Sequence, residues 1–232
     1  MIRRTLACLS SSPDTALREV QDHYFKQAKR EGYRSRAAYK LIEIDDRKKV
    51  LRRGACALDV GAAPGSWSQV LGKRLGPRGE VVAIDLKRIE PEGLGENVRI
   101  LEGDVNDVSF EELGGRVFDV IVSDMAPDTT GDPFGDHHRS VRLCHGLLDR
   151  ARVWLKPGGN LVMKVFEGEA YRDLLERVDG EFQKAKGFKP AASRNSSVEM
   201  FIVAHGYIGD AFQPPAEGES VPARSPSKGW GN

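Results

Sequence analysis

The sequence predicts an α/β protein built on a mostly parallel sheet with helices on both faces. Two observations support this fold class: short apolar runs recur along the chain, and segments with helical spacing separate most of them. Six runs have the length and composition of buried strands, namely Cys56–Val60, Val81–Leu86, Val98–Leu101, Phe118–Ser123, Asn160–Phe166 and Val198–Ala204. Because helices connect the strands, neighbouring strands are expected to run parallel.

The helices are predicted from apolar residues spaced three and four positions apart. One precedes the first strand and has a stripe formed by Ala37, Ala38, Leu41 and Ile44. Three others are predicted at Trp67–Leu75, Ser140–Leu155 and Ala170–Phe182. The segment LKPGG, from Leu155 to Gly159, predicts the end of a helix and a turn into the next strand.

The length of 232 residues fits one domain with its own core. Residues 1–20 are predicted to be an N-terminal extension, 21–208 the domain, and 209–232 a disordered tail rich in Pro, Gly and Ser. No apolar run approaches the roughly 20 residues of a membrane span. Three widely spaced cysteines predict free thiols in a reducing compartment. We therefore expect a cytoplasmic bacterial protein, with a mitochondrial one as the alternative because the start MIRRTLACLSSS resembles a transit peptide.

Charge is distributed unevenly along a chain whose net charge is only +1. Between Gln21 and Lys40 six basic residues stand against two acidic ones, a net charge of +4. The basic residues of this window are Lys26, Lys29, Arg30, Arg34, Arg36 and Lys40. A second stretch, Gln183 to Ser197, has no acidic residue and includes Arg194. Either patch could be an ordinary solvated surface, but together they indicate a polyanionic partner.

The segment LDVGAAPGSW, at the end of the first strand, is a glycine turn of the kind that leaves space for a ligand. Asp59 interrupts its apolar run, and Gly61 and Gly65 are separated by Ala-Ala-Pro. This spacing differs from the G-x-G-x-x-G pattern of dinucleotide sites, and Pro64 removes an amide that a pyrophosphate could use. The turn therefore favours a nucleoside ligand without a pyrophosphate.

Acidic residues follow the next two predicted strands. Asp85 ends the second strand, where a carboxylate can accept both ribose hydroxyls, and Asp104 follows the third, within reach of an adenine amino group. Each alone could be a helix cap or a turn residue. With the glycine turn they indicate a nucleoside site at the carboxyl edge of the sheet, and S-adenosylmethionine is the ligand that fits.

Six segments, read together, resemble the FtsJ/RrmJ family of ribosomal RNA 2′-O-methyltransferases, and they occur in the family's order. They are RSRAAYKL, LDVGAAPGSWSQ, SDMAPD, LKPGG, VMKVF and SSVEMFIVA. The resemblance extends from about Tyr24 to Tyr207. It implies a Rossmann-like class I methyltransferase fold with a seven-stranded sheet. One residue departs from the family: Asp128 follows DMAP, where the family usually has Asn.

The resemblance also implies the site residues. The catalytic tetrad corresponds to Lys40, Asp124, Lys164 and Glu199. The S-adenosylmethionine site corresponds to Gly65, Trp67, Asp85, Asp104 and Asp124. The residues expected to bind RNA are Lys26, Lys29, Arg30, Arg34, Arg36 and Arg194. The implied substrate is a uridine ribose of large-subunit ribosomal RNA in the 50S particle. The reaction needs no metal, because the leaving group departs as a neutral thioether, and we expect the protein to be a monomer.

The predicted tetrad suits methyl transfer to a ribose hydroxyl. A lysine acts as a base only when its surroundings disfavour the ammonium form, and Lys164 lies near the end of an apolar strand with Lys40 as a second cation. Taken singly, Lys164 could snorkel and Glu199 could face solvent. GDHH and His145 suggest a metal site, but no complete ligand set accompanies them. A methyltransferase for protein or small molecules, and a non-catalytic RNA-binding protein, remain the alternatives.

Overall fold

A computed structural model describes residues 24–193 and 197–209 of the chain. The predicted extension, residues 1–20, lies outside the described residues, and so does the predicted tail apart from Gly209. Cys8 and Arg194 also lie outside them. Cys56 and Cys144 are free thiols, as predicted.

The described chain contains seven strands and five helices. In chain order they are α1 (residues 24–31), α2 (Ala38–Lys48), β1 (Cys56–Val60), α3 (Ser66–Leu75), β2 (Glu80–Asp85), β3 (Val98–Glu102), β4 (Phe118–Ser123), α4 (Pro133–Trp154), β5 (Leu155–Phe166), α5 (Tyr171–Glu181), β6 (Phe182–Phe188) and β7 (Glu199–Tyr207). None of these helices is both long enough and apolar enough to cross a membrane.

The strands form one sheet in the order β3-β2-β1-β4-β5-β7-β6. The first five strands pair in parallel, whereas β7 lies antiparallel to both β5 and β6. Because the strands β1, β2 and β4 run in one direction side by side, the residues after them meet at one edge of the sheet. The predicted fold class, a mostly parallel seven-stranded α/β sheet, is confirmed.

Helices cover both faces of the sheet, and each face has its own core. On one face α4 and α5 pack on alternate strand residues such as Leu58 and Ile121. On the other face α2 and α3 enclose a second core that includes Leu41, Trp67 and Phe201. The predicted stripe on α2 is confirmed, since Ala38, Leu41 and Ile44 are fully buried; Ala37 is the residue before the helix.

Four details of the sequence prediction were wrong. The helix α1, at residues 24–31, was missed. The strand β6 was missed, because most of its side chains are exposed and it has no apolar alternation. The helix α4 begins at Pro133 and not at Ser140, because Asp132 caps it by accepting hydrogen bonds from two backbone amides and Pro133 occupies its first turn. The helix end predicted at LKPGG is confirmed, since α4 ends at Trp154, but the segment forms the first part of β5, with a shift in register before Asn160, and is not a separate turn. The other predicted boundaries differ from the structure by three residues or fewer.

Candidate active site

The glycine turn connects β1 to α3 at the carboxyl edge of the sheet. Gly61 and Gly65 have φ angles of 72° and 101°, in the region that favours glycine. A Cβ on Gly61 would lie 2.5 Å from Cγ of Met125, and one on Gly65 would lie 2.7 Å from Nη1 of Arg34. The turn is therefore closed by neighbours on its outer side, and both positions require glycine.

The start of α3 offers free backbone amides beside this turn. No side chain caps the helix, and its first residues are Ser66 and Trp67. Amides at a helix N-terminus attract negatively charged groups, such as the carboxylate at the amino-acid end of S-adenosylmethionine. The position of the amides fits the predicted ligand.

Asp85, at the end of β2, is tied to the same turn. Its Oδ2 accepts a hydrogen bond from the backbone N–H of Ala63 at 2.9 Å, and its Oδ1 accepts one from that of Lys87 at 2.8 Å. A carboxylate has about four acceptor positions, so two remain for ribose hydroxyls. After β3, Oδ1 of Asp104 accepts hydrogen bonds from the backbone and side-chain nitrogens of Asn106, at 2.8 and 2.9 Å. Both carboxylates thus keep capacity for a nucleoside.

Asp59 is a buried acid beneath the turn, to which the sequence assigned no role. It is inaccessible to solvent, and its Oδ2 accepts a hydrogen bond from Oγ of Ser68 at 2.6 Å. Its Oδ1 has no hydrogen-bond partner among the described residues. Burial raises the pKa of Asp59 to about 7, against the effect of the Ser68 hydrogen bond, and the charges of Asp124 and Asp85 raise it further. Asp59 is therefore a buried carboxyl that holds a proton more tightly than an exposed one.

Trp67 differs from the other predicted cofactor residues because its ring belongs to the core. Only 2% of its surface is exposed, and its ring lies 5.8 Å from that of Phe201. The indole N–H donates a hydrogen bond to the carbonyl of Ala37 at 2.8 Å. The backbone of Trp67, and not its ring, is the part that lies at the helix N-terminus facing the turn.

The four residues of the predicted tetrad form two ion pairs. Nζ of Lys40 lies 2.7 Å from Oε2 of Glu199. Nζ of Lys164 lies 2.9 Å from Oδ1 of Asp124 and donates to the Asp124 carbonyl at 2.6 Å. Both lysines are 7% exposed. Four separate segments of the chain, α2, the end of β4, β5 and β7, bring these groups together.

Strand register explains why the two pairs share a face of the sheet. In the antiparallel pairing of β5 with β7, Lys164 is opposite Phe201 and Phe166 is opposite Glu199. Residues two apart on a strand lie on the same face, so Lys164 and Glu199 face the same way. That face is the one covered by α2, which carries Lys40.

The electrostatics of Glu199 reflect both lysines. Burial alone would raise the pKa of Glu199, but the charge and hydrogen bond of Lys40 outweigh it. The charge of Lys164 and a hydrogen bond with Ser197 lower the pKa further. The pKa of Glu199 is therefore below its usual value, and the carboxylate is ionised at neutral pH.

The predicted RNA-binding residues lie in different surroundings. Lys26, Lys29 and Arg30 are exposed on α1, whereas Arg34 and Arg36 are half-buried. The guanidinium of Arg34 is bound to three backbone carbonyls of the protein. Arg194 lies outside the described residues.

The histidines that suggested a metal site have other partners. His137 is buried, with Nδ1 2.8 Å from the carbonyl of Phe166 and Nε2 accepting a hydrogen bond from Ala170 N–H at 3.0 Å. His138 contacts Glu169, and His145 contacts Arg177. Within residues 24–193 and 197–209, no three His, Cys, Asp or Glu side chains form a group that could hold a metal ion.

Cavity size does not identify this site. Clefts of about 820 and 430 Å³ lie at the opposite, amino-terminal edge of the sheet. Their linings include Arg78 and Arg99 in the first and Lys49 and Lys156 in the second, but none of the predicted catalytic or cofactor residues. The site is instead defined by convergent polar groups at the carboxyl edge.

The sheet order, with β7 inserted antiparallel, and a nucleoside-type turn after β1 define a class I S-adenosylmethionine-dependent methyltransferase. The model of the FtsJ-like methyltransferase family matches residues 33–207, and the chain belongs to this family. A relative from Psychrobacter sp. (strain PRwf-1), ribosomal RNA large subunit methyltransferase E, is 44% identical over 202 residues, which are 84% of this chain and 95% of the relative.

Solved structures share the fold. A Plasmodium falciparum chain assigned as a ribosomal RNA methyltransferase aligns with a TM-score of 0.69 and 29% identity, over 77% of this chain and 100% of that one. Aeropyrum pernix fibrillarin, solved with natively bound S-adenosylmethionine, aligns with a TM-score of 0.54 and 19% identity, over 72% of this chain and 73% of that one. At such identity the second likeness concerns the fold alone.

Proposed function

We propose that the protein methylates the 2′-hydroxyl of a ribose in large-subunit ribosomal RNA, at a uridine and in the assembled 50S particle. The proposal rests on two ion pairs, Lys40–Glu199 and Lys164–Asp124, which lie at the edge of the sheet beside the glycine turn. The large-subunit RNA substrate is supported by the name of the Psychrobacter relative. The uridine and the particle come from the family resemblance.

In this proposal Lys164 handles the proton of the attacking hydroxyl. S-adenosylmethionine supplies a methyl group that its sulfonium makes electrophilic. The unprotonated amine of Lys164 takes the hydroxyl proton as the ribose oxygen becomes nucleophilic, and Asp124 fixes the amine by two contacts, at 2.6 and 2.9 Å. Only 7% of Lys164 is exposed, so its amine can be held against a bound ribose with little competition from water.

Lys40 and Glu199 position the ribose. Lys40 carries a second positive charge on the same face of the sheet. Its Nζ lies 2.7 Å from Oε2 of Glu199, which holds the lysine in place. A carboxylate that already binds one ammonium can accept a further hydrogen bond from a ribose hydroxyl. The exposed Lys26, Lys29 and Arg30 of α1 then contact backbone phosphates, which fix the register of the RNA without reading its sequence.

A labelled-methyl assay tests the substrate class. The protein is incubated with methyl-labelled S-adenosylmethionine and one of three acceptors. The acceptors are 50S particles lacking the modification, the naked RNA, and a mixture of proteins. The proposal expects label in the RNA of the particles, resistant to alkaline hydrolysis at one nucleotide, since a 2′-O-methyl group blocks cleavage there. Label on protein would favour the second class of methyltransferase, and no label at all would favour a non-catalytic RNA-binding protein.

Replacement of Lys164 by Ala tests the catalytic assignment. The variant is expected to lose turnover while its affinity for S-adenosylhomocysteine stays near that of the wild type. Normal turnover by Lys164→Ala would show that another group takes the proton. We further propose that the enzyme acts as a monomer in the compartment that holds ribosomes; light scattering at assay concentration checks the oligomeric state.

A further inference from the structure

Arg34 binds the glycine turn from its outer side. Nη1 donates a hydrogen bond to the carbonyl of Pro64 at 2.6 Å, and Nη2 donates to the carbonyls of Glu90 and Glu92. The three acceptors belong to two loops, one after β1 and one after β2. The guanidinium therefore bridges both loops that flank the predicted cofactor site.

Gln69, in α3, completes the junction. Its Oε1 accepts a hydrogen bond from the backbone N–H of Arg34 at 3.0 Å, and its Nε2 donates to the carbonyls of Gly32 and Gly93 at 2.9 and 3.1 Å. The side chain is 5% exposed, so these bonds are shielded from water. Gln69 thus joins the same three segments as Arg34: residues 32–34, 64–69 and 90–93.

Neighbouring residues extend this junction along the chain. Oγ of Ser35 lies 2.9 Å from Oγ of Ser66, and the carbonyl of Ala37 accepts from the indole of Trp67. A Cβ on Gly65 would lie 2.7 Å from Nη1 of Arg34. The segment RSRA therefore packs along PGSW, residue by residue, and Arg34 makes the closest approach to the turn.

This geometry does not suit a phosphate contact. Both terminal nitrogens of Arg34 already donate hydrogen bonds to carbonyls, and these three bonds use three of the five N–H donors of a guanidinium. A lysine carries its charge on one compact ammonium group. It lacks the planar fork of donors with which an arginine can reach carbonyls in two loops. The role depends on the shape of the arginine and not on its charge.

We propose that Arg34 is a positioning residue for the cofactor turn and not an RNA contact. With Gln69 it fixes Pro64 and Gly65 against the loop after Asp85, which sets the spacing between the α3 amides and the acid at the end of β2. The proposal rests on the class of enzyme and is independent of the ribose chemistry proposed above.

The test compares Arg34→Lys with Arg30→Lys, an exposed arginine on α1. We expect Arg34→Lys to weaken binding of S-adenosylhomocysteine, measured by calorimetry, by at least about tenfold, because the planar fork is lost. Amide exchange of residues 62–69 and 90–93 should accelerate in the same variant. Arg30→Lys should change neither quantity. Wild-type affinity in folded Arg34→Lys would overturn the proposal.

A second arm separates positioning from RNA binding. If Arg34 contacts a phosphate, Arg34→Gln should reduce the slope of log K against log salt for an RNA transcript by about 0.7 to 0.9. We expect no change in slope, and a reduction would overturn the proposal. In the wild type, the guanidinium resonances of Arg34 should shift on addition of S-adenosylhomocysteine and stay unchanged on addition of RNA. The opposite pattern would overturn the proposal even if both variants failed to fold.

Discussion

Glu199 and Lys40 are 159 positions apart in the sequence, yet Oε2 and Nζ lie 2.7 Å apart. Their side chains keep 23% and 9% of their exposure, so the pair is largely enclosed. Removing one partner from an enclosed pair leaves the other charge uncompensated, which costs more than losing a surface ion pair. The first prediction follows from this difference.

Glu199→Gln should lower the free energy of unfolding by about 1 to 3 kcal/mol at pH 7. The pKa of Glu199 is lowered in the folded protein, so its stabilising effect is complete above the unfolded pKa of about 4.3 and is lost as the pH falls through the lower, folded pKa. Variant and wild type should therefore converge in acid, as urea unfolding between pH 7 and 3 would show.

The control for this variant is Glu176→Gln on α5. Glu176 pairs with Arg172 four residues earlier, and both side chains are exposed. A pair of this kind contributes about 0.5 kcal/mol or less, so little change is expected. If the loss of unfolding free energy in Glu199→Gln stayed constant down to pH 3, the charge of Glu199 would not be its cause.

Lys164→Arg should lower kcat by about 10² to 10⁴, the usual contribution of a general base. A guanidinium can still contact Asp124, but it stays protonated at neutral pH and therefore cannot accept the hydroxyl proton. Single-turnover methyl transfer measures the chemical step, and calorimetry with S-adenosylhomocysteine checks that the site is intact. Lys184→Arg, at an exposed position of β6, is the matched control. Full activity in Lys164→Arg would mean that Lys164 contributes charge only.

Asp59→Asn should change the pH dependence of stability. The pKa of Asp59 is raised to about 7 in the folded protein, so the folded chain keeps a proton that the unfolded chain loses near pH 4. The free energy of unfolding of the wild type therefore falls as the pH rises from about 4 to 7. Asn cannot ionise, so the difference between the two proteins should grow across this range in favour of the variant.

Urea unfolding at several pH values measures this difference, because the other groups titrate in both proteins. Ser68→Ala is the companion variant. It removes the hydrogen bond that lowers the pKa of Asp59, so the fall of its stability with pH should continue to a higher pH than in the wild type. If the free energies of unfolding of Asp59→Asn and the wild type changed in parallel with pH, the buried acid would not be the source of the pH dependence.

Gly65→Ala should destabilise the protein by about 1 to 3 kcal/mol and weaken cofactor binding, because the residue has a φ of 101° and its Cβ would meet Arg34. Gly180→Ala is the control. It lies in α5, nothing lies within 4 Å of the added carbon, and alanine favours a helix by about 0.5 to 1 kcal/mol. Thermal unfolding should move in opposite directions for the two variants. An unaffected Gly65→Ala would show that the turn can relax.

Asp128→Asn should strengthen RNA binding by about two- to fivefold at low salt, and less at high salt. Asp128 is exposed and follows Asp124 by four residues, so its charge repels a polyanion at the site. Filter binding to an RNA transcript at two salt concentrations checks this. Asp173→Asn, exposed on α5, removes the same charge from another element and should have little effect. Equal increases in RNA affinity in both variants would indicate that the effect depends on the net charge of the protein and not on the position of Asp128.

The sequence predicted β1, β2 and β4 because most of their residues are buried and apolar, and it predicted the more exposed edge strand β3 from its short run of Ile100 and Leu101. It missed β6 because that strand is held by pairing with β7 and not by its side chains: Lys184 and Lys186 are exposed. The late start assigned to α4 was avoidable, since Asp132 followed by Pro133 is a recognisable helix start.

Site residues could be predicted from the sequence only where a motif identified them. The tetrad came from the family resemblance, and the structure brings its members together in two ion pairs. The contacts of Arg34 could not be predicted, because its charge was visible in the sequence but the carbonyls that accept its hydrogen bonds were not. For the same reason the burial of the Trp67 ring was not apparent from its place after the glycine turn.

Strand β7 fills the slot between β5 and β6, although translation delivers it after both. A nascent polypeptide that has emerged only as far as β6 can pair β1 to β5, but it has no Glu199 opposite Lys40. The ion pair on which the proposed function rests can therefore form only once the final strand has been synthesised. A chain that ends before β7 would lack one of the two enclosed ion pairs at the candidate site.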